Sequence, residues 1–154
     1  MPSSIRRHID AIVTGFKHLR YPPLTLSYPE AVEERPPGYR GFILYEPEKC
    51  LGCGLCAQIC PARAIKMHVQ GRKRRPGYSM ARCIFCGLCV DICPAEALEP
   101  SSIHDEAFEV VEHMELDPEE WGQRSRELRG RKPAARVVRP VIDEVWGIRY
   151  ERVG

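Results

Sequence analysis

Eight cysteines fall within 44 consecutive residues, Cys50 to Cys93, of a 154-residue chain. No other feature narrows the possible folds so far, because cysteines this dense mark disulfides, a metal site or an iron–sulfur group. They belong to an internal repeat. CLGCGLCAQICPARAI starts at Cys50 and CIFCGLCVDICPAEAL starts at Cys83, an offset of 33, and the two agree at 10 of 16 positions. A motif present twice reads as a duplicated module, since a solenoid needs three or more units.

The three chemistries are separable. A disulfide framework needs an oxidising compartment, and reaching it usually takes a signal peptide. The N-terminal segment MPSSIRRHIDAIVTGFKHLRYPP carries Arg6, Arg7, Asp10, Lys17 and Arg20, which leave no apolar core of about 7–15 residues. The pair Arg6-Arg7 is followed by His8 and Asp10 instead of an apolar stretch, so a twin-arginine signal does not fit either. Structural zinc uses two pairs of C-x2–4-C form, which leaves a three-plus-one spacing unexplained. Each copy here reads C-x2-C-x2-C-x3-C-P, the run that holds [4Fe–4S] clusters. Two such clusters are the expected cofactors. Three thiolates in one tight loop can wrap three irons, and the small residues Gly52, Gly54 and Gly87 let backbone N–H groups approach the sulfurs. The fourth cysteine of each copy is expected on a following short helix, directed away from its own loop.

The motif resembles that of bacterial two-cluster ferredoxins, in which the fourth cysteine serves the other cluster. The resemblance implies a crossed ligand set. Cluster one would take Cys50, Cys53, Cys56 and Cys93, and cluster two Cys83, Cys86, Cys89 and Cys60. Ile65, Ile84, Phe85 and Leu98 read as an apolar shell, and His104 and His113 as surface residues, since all eight ligand positions are already filled. No acid–base pair or nucleophile is needed, and no catalytic residue is assigned.

The flanks differ in character. Ile5, Ile9, Ile12, Phe16 and Leu19 form a stripe at helical spacing, with Ser3 or Ser4 as expected N-cap and the stop at Tyr21-Pro22-Pro23. Five prolines between residues 21 and 41 mark an extended arm. Strands are expected near Phe42–Tyr45, Ile65–Val69 and Tyr78–Met80, the last two around a basic turn GRKRRPG, with short helices at Ala57–Cys60 and Val90–Cys93. Residues 105–120 hold eight acids and no lysine or arginine, whereas residues 124–139 hold seven basic residues against Glu127 alone. The closing VIDEVWGIRY is apolar enough to dock. The longest stretch free of charged residues, Cys50 to Ala62, has 13 residues, short of the roughly 20 that span a bilayer. The basic segments lack interleaved aromatics for base stacking, so they read as protein-binding or solvated surface, not as a nucleic-acid site.

RYPPLTLSYPE (residues 20–30), YRGFILYEPEKC (39–50) and RCIFCGLCVDICP (82–94) resemble the two-cluster ferredoxin-like subunit of respiratory complex I, NADH:quinone oxidoreductase, and of related membrane-bound hydrogenases. The likeness spans about residues 5–115 and does not extend to the basic tail. It implies an α+β fold: a pseudo-two-fold ferredoxin core with an N-terminal amphipathic helix, an extended arm and a C-terminal tail. The corresponding parts are an arm at 1–41, a two-cluster domain at 42–104 and a subunit-contact extension at 105–154. The implied function is relay of single electrons through both clusters to the terminal cluster of a neighbouring subunit, where quinone is reduced. Implied partners are that subunit and a membrane subunit touching the N-terminal helix, which places the chain peripherally on the cytoplasmic side. The equivalent subunit of a [NiFe] hydrogenase or an F420H2 dehydrogenase is the alternative. A freely diffusing ferredoxin-like carrier and a nucleic-acid-binding cluster module rank below it.

Overall fold

A computed structural model describes residues 2–21, 23–131 and 136–153. In chain order its elements begin with α1 (Pro2–His18), β1 (Val32–Glu33), β2 (Ile43–Tyr45), α2 (Leu55–Ile59), β3 (Ile65–Gln70) and β4 (Lys73–Ser79). They continue with α3 (Leu88–Asp91), β5 (Leu98–Pro100), a 3-10 turn (Val111–Met114), β6 (Glu115–Leu116), α4 (Pro118–Arg129), β7 (Val137–Asp143) and β8 (Gly147–Arg152). Two compact units result: Arg35–Lys132, and Met1–Glu34 with Pro133–Gly154.

In the second of these units, α1 carries Ile5, Ile9, Ile12 and Phe16 of the expected apolar stripe, all exposed, and Leu19, also exposed, follows one residue past its end. Ser3 and Ser4 lie inside the helix, not ahead of it, because α1 already starts at Pro2. Pro22, part of the expected stop, lies outside the described residues, as does Lys132 of the basic segment. β1 runs parallel to β7, and β7 pairs antiparallel with β8, so the apolar tail is a hairpin. Asp143 shapes its turn by accepting the N–H groups of Val145 and Trp146 at 2.8 and 2.9 Å. Arg139 of β7 pairs with Glu34 at 2.6 Å.

The unit at 35–132 grows from the apolar run Phe42-Ile43-Leu44-Tyr45, all four residues buried. β2 pairs antiparallel with β5, and β3, β4 and β6 form a second small sheet. GRKRRPG is less of a turn than expected. Only Gly71 and Arg72 lie between the strands, and Lys73 to Gly77 belong to β4. The reason is register, since Val69 to Met67 pair residue for residue with Arg74 to Pro76.

Trp121 of α4 is completely buried and stacks between Tyr45 and Tyr78, with ring centroids 4.8 Å away on each side. Its Nε1 donates to the Ile43 carbonyl at 2.9 Å. Ser125 Oγ accepts the Tyr45 N–H at 2.8 Å and donates to the Trp121 carbonyl at 2.7 Å. These contacts carry the unit well past the expected boundary at residue 104, because α4 covers β2 and β4. The local signal for α4 is the run Asp117-Pro118-Glu119-Glu120. Asp117 accepts the N–H groups of Glu119 and Glu120 at 2.8 and 2.9 Å, and Glu120 returns a carboxylate oxygen to the Asp117 N–H at 3.0 Å. Such a capping box with proline at the first helical position fixes a helix start. Asp117→Ala is expected to lower stability by about 0.5–2 kcal/mol, read from the chemical-denaturation midpoint.

The acidic and basic stretches also fold onto one another here. Arg124 and Arg131 both reach the buried Glu106 carboxylate, the former at 2.7 Å, and Arg131 reaches Asp105 at 3.1 Å. Arg129 bridges Glu46 at 2.5 Å and Glu99 at 2.8 Å. Part of the charge in both stretches is therefore taken up by internal pairs, which leaves less of it for a partner than the sequence suggests.

Candidate iron–sulfur centres

Each cysteine loop ends in a glycine that turns the chain into a helix. Gly54 and Gly87 stand at the N-caps of α2 and α3 with φ of 82° and 81°, a left-handed geometry that a side chain strains. The helices are Leu55–Ile59 and Leu88–Asp91, so each starts two residues ahead of expectation and stops before its fourth cysteine. Cys60 is the C-cap of α2, with φ −68° and ψ 109°. The proline after it disfavours a helical conformation there.

The segment after each fourth cysteine folds the same way in both copies. In Cys60-Pro61-Ala62-Arg63-Ala64, Arg63 is left-handed with φ 50°, and in Cys93-Pro94-Ala95-Glu96-Ala97, Glu96 is left-handed with φ 46°. The N–H groups of Arg63 and Glu96 return to the carbonyls of Cys60 and Cys93, both at 3.2 Å. The next N–H then meets sulfur: Ala64 donates to Cys60 Sγ at 3.2 Å, and Ala97 to Cys93 Sγ at 3.3 Å. Phe85 donates to Cys83 Sγ at 3.3 Å from its own left-handed turn, φ 53°. The N–H donors to sulfur found among the described residues thus come from Ala64, Phe85 and Ala97, whereas the sequence pointed to the loop glycines.

The cysteines gather around two cavities. Cys50, Cys53, Cys56 and Cys93 line one, together with Tyr45 and Leu98; its empty space is about 380 Å³, including the part open to solvent. Cys60, Cys83, Cys86 and Cys89 line the other, with Tyr78 and Ile65; its space is about 320 Å³ on the same measure. Among the described residues no three histidine, cysteine, aspartate or glutamate side chains converge tightly enough for a single metal ion. Four thiols around one space, in the three-plus-one spacing of the motif, suit a polynuclear cluster better than the two pairs of C-x2–4-C form that zinc takes. Burial pushes the Cys56 thiol up to about 11 and the Cys89 thiol up to about 12. These sulfurs become thiolates when iron is bound. The donor set fits a [4Fe–4S] group in each cavity.

The surrounding shell departs from expectation at two points, the first being Phe85, which is half-buried and is not among the residues lining either cavity. Ile65 and Leu98 are buried, but Ile84 is exposed although it lines the second cavity. Leu51, its counterpart 33 positions earlier, is exposed at the first cavity. His113 is exposed as expected, while His104 is half-buried and bonds to Arg35. Tyr45 and Tyr78 escaped the sequence reading. They stand five residues ahead of Cys50 and Cys83, at the repeat's own offset of 33, so extending the repeat upstream would have found them.

Residues 49–97 match the 4Fe-4S dicluster domain family. The chain is 42% identical over 59 residues to NADH-quinone oxidoreductase subunit I of Carboxydothermus hydrogenoformans, which is 38% of this chain and 42% of that one. It is 41% identical over 75 residues to the subunit of the same name in Flavobacterium psychrophilum, covering 43% of this chain and 41% of the relative. The matched part is thus less than half the length of these curated relatives. Among solved structures, a chain of the membrane-bound sulfane sulfur reductase, an archaeal respiratory membrane complex, superposes with a TM-score of 0.58 at 28% identity. That alignment covers 85% of this chain and 76% of the other. The cofactors of this chain are two [4Fe–4S] clusters, and residues 49–97 are the domain that binds them.

Proposed function

We propose that the chain is an electron-transfer subunit of a complex I-type membrane oxidoreductase, passing single electrons through its two clusters to the terminal cluster of a neighbouring subunit. The observation that carries this reading is the pair of four-cysteine cavities inside one small unit, taken with the relatives above. When bound, a [4Fe–4S] group supplies reversible one-electron transfer.

The protein's residues hold, shield and bias that chemistry. Ligation is crossed: Cys93 joins Cys50, Cys53 and Cys56, while Cys60 joins Cys83, Cys86 and Cys89. Support comes from the lining of the cavities, where each fourth cysteine faces the other copy's loop. The two copies then form a pseudo-two-fold core that cannot come apart without breaking both sites. Ala64 and Ala97 N–H groups stabilise charge on the fourth sulfurs. Ile65, Tyr78, Tyr45 and Leu98 keep water from the inner faces.

The remaining residues serve assembly. Five exposed apolar positions on α1, with no helix among the described residues long and apolar enough to cross a membrane, suit a helix that lies against a membrane subunit on the cytoplasmic side. Exposed Ile142, Val145 and Trp146 on the C-terminal hairpin suit a second subunit contact. The terminal acceptor belongs to the neighbour. The sulfane sulfur reductase likeness favours a second reading, in which the same wire feeds an acceptor other than quinone.

The test is isolation from washed membranes. The chain is expected to remain with the membrane fraction and co-purify with a cluster-bearing catalytic subunit, whose activity then separates quinone, proton and sulfur reduction. Recovery of all of it as a free monomer would overturn the assembly reading in favour of a diffusing carrier.

A further inference from the structure

Tyr45 and Tyr78 are 1% and 2% exposed, and both hydroxyl oxygens are buried without a hydrogen-bond partner among the described residues. A buried polar group left unpaired is costly, and two in one small unit call for an explanation. Their placement supplies it. Tyr45 lines the cavity of Cys50, Cys53, Cys56 and Cys93, and Tyr78 lines that of Cys60, Cys83, Cys86 and Cys89. Trp121 stacks on both rings and holds them in place from the other side.

We propose that the Tyr45 hydroxyl donates a hydrogen bond to the Cys50 sulfur and the Tyr78 hydroxyl to the Cys83 sulfur once the clusters are in place, each raising the potential of its own cluster alone. The inference rests on the crossed ligand set proposed above. A donor at a ligating sulfur stabilises added negative charge, so the reduced form gains more than the oxidised form.

The two sites are not equivalent. Arg75 of β4 donates through Nη1 to the Cys50 carbonyl and acts on the Tyr45 hydroxyl as a neighbouring positive charge. Arg75 therefore adds a second stabilising influence to the reduced form of the first cluster. The cluster of Cys50, Cys53, Cys56 and Cys93 is the one of higher potential.

Tyr45 and Tyr78 are positioning residues in this scheme, and the test reads potentials, which packing alone would leave in place. The full chain carrying both clusters is titrated with dithionite and mediator dyes and followed by electron paramagnetic resonance. Tyr45→Phe keeps the ring and the stack. It is expected to change the oxidised-to-reduced ratio of the first cluster at fixed poise by about tenfold, equivalent to about 59 mV for one electron, with the second unmoved. Tyr78→Phe is expected to do the converse, and Arg75→Gln to lower the first cluster only. Pulsed resonance after exchange into D2O should show one strongly coupled exchangeable proton lost from the first cluster in Tyr45→Phe. Unchanged potentials in both phenylalanine variants, or equal shifts of both clusters in either one, would overturn the proposal. Cys60→Ser separates the two levels. If it disables the second cluster while the tyrosine variants change nothing, the ligand set stands and the hydroxyl role falls.

Discussion

Cys60→Ser is expected to abolish the cluster beside Cys83, Cys86 and Cys89 and to spare the one beside Cys50, Cys53 and Cys56. Sequence order alone would place the damage in the first motif, where Cys60 sits. The crossed ligand set proposed above puts it in the second, a reading supported by Cys60 lining the space bounded by Cys83, Cys86 and Cys89. Iron content is expected to fall from about eight atoms per chain, the complement of two [4Fe–4S] groups, to about four. Resonance spectra of the reduced protein should retain one signal. Loss of the first cluster with survival of the second would reverse the assignment, and a zinc content near two with no iron would remove the cluster reading altogether. Cys93→Ser is the mirror experiment, and the two variants together exclude a general folding defect as the cause.

Trp121→Ala carries the largest expected cost to stability. The indole is fully buried, stacks with both Tyr45 and Tyr78, and donates to the Ile43 carbonyl. Truncating a buried aromatic of this size costs about 3–5 kcal/mol. The orphaned carbonyl adds to that loss. A domain of this size has about 5–15 kcal/mol in total, so the variant stands near the unfolding threshold. The denaturation midpoint should drop steeply, and the clusters should be lost at temperatures that the parent survives. Trp146→Ala is the control. That indole is 41% exposed, and its removal is expected to shift the midpoint by no more than about 0.5 kcal/mol. Equal effects of the two substitutions would show that the stack contributes nothing particular.

The contrast between these two tests shows what could be read in the chain before folding. Cluster ligation is written in spacing, and spacing survives in one dimension: eight cysteines, two prolines and an offset of 33 carry it. Trp121 meets Ile43 across 78 positions, and no local pattern announces that meeting. The strong run of like charge around Asp105 to Glu120 read as part of an extension for subunit contacts, yet its capping box starts a helix that closes the core. Charge averages over a window, whereas a cap is a matter of individual residues. Arg124, Arg129 and Arg131 looked available for a partner for the same reason, since their acids lie far off in sequence at Glu46, Glu99 and Asp105–Glu106. Tyr45 and Tyr78 were within reach, hidden only because the repeat was aligned from its first cysteine forward.

Leu51 and Ile84 occupy matching places in the two loops, and both present their side chains to the surface beside a cavity. A duplicated module thus has two equivalent doors, and the duplication by itself gives electrons no reason to prefer one as the entrance. Direction has to be written in whatever the two halves do not share. Under the proposal above, Arg75, the hairpin arginine bonded to the Cys50 carbonyl, is such a mark, and it turns a matched pair of sites into a sequence with a first and a last.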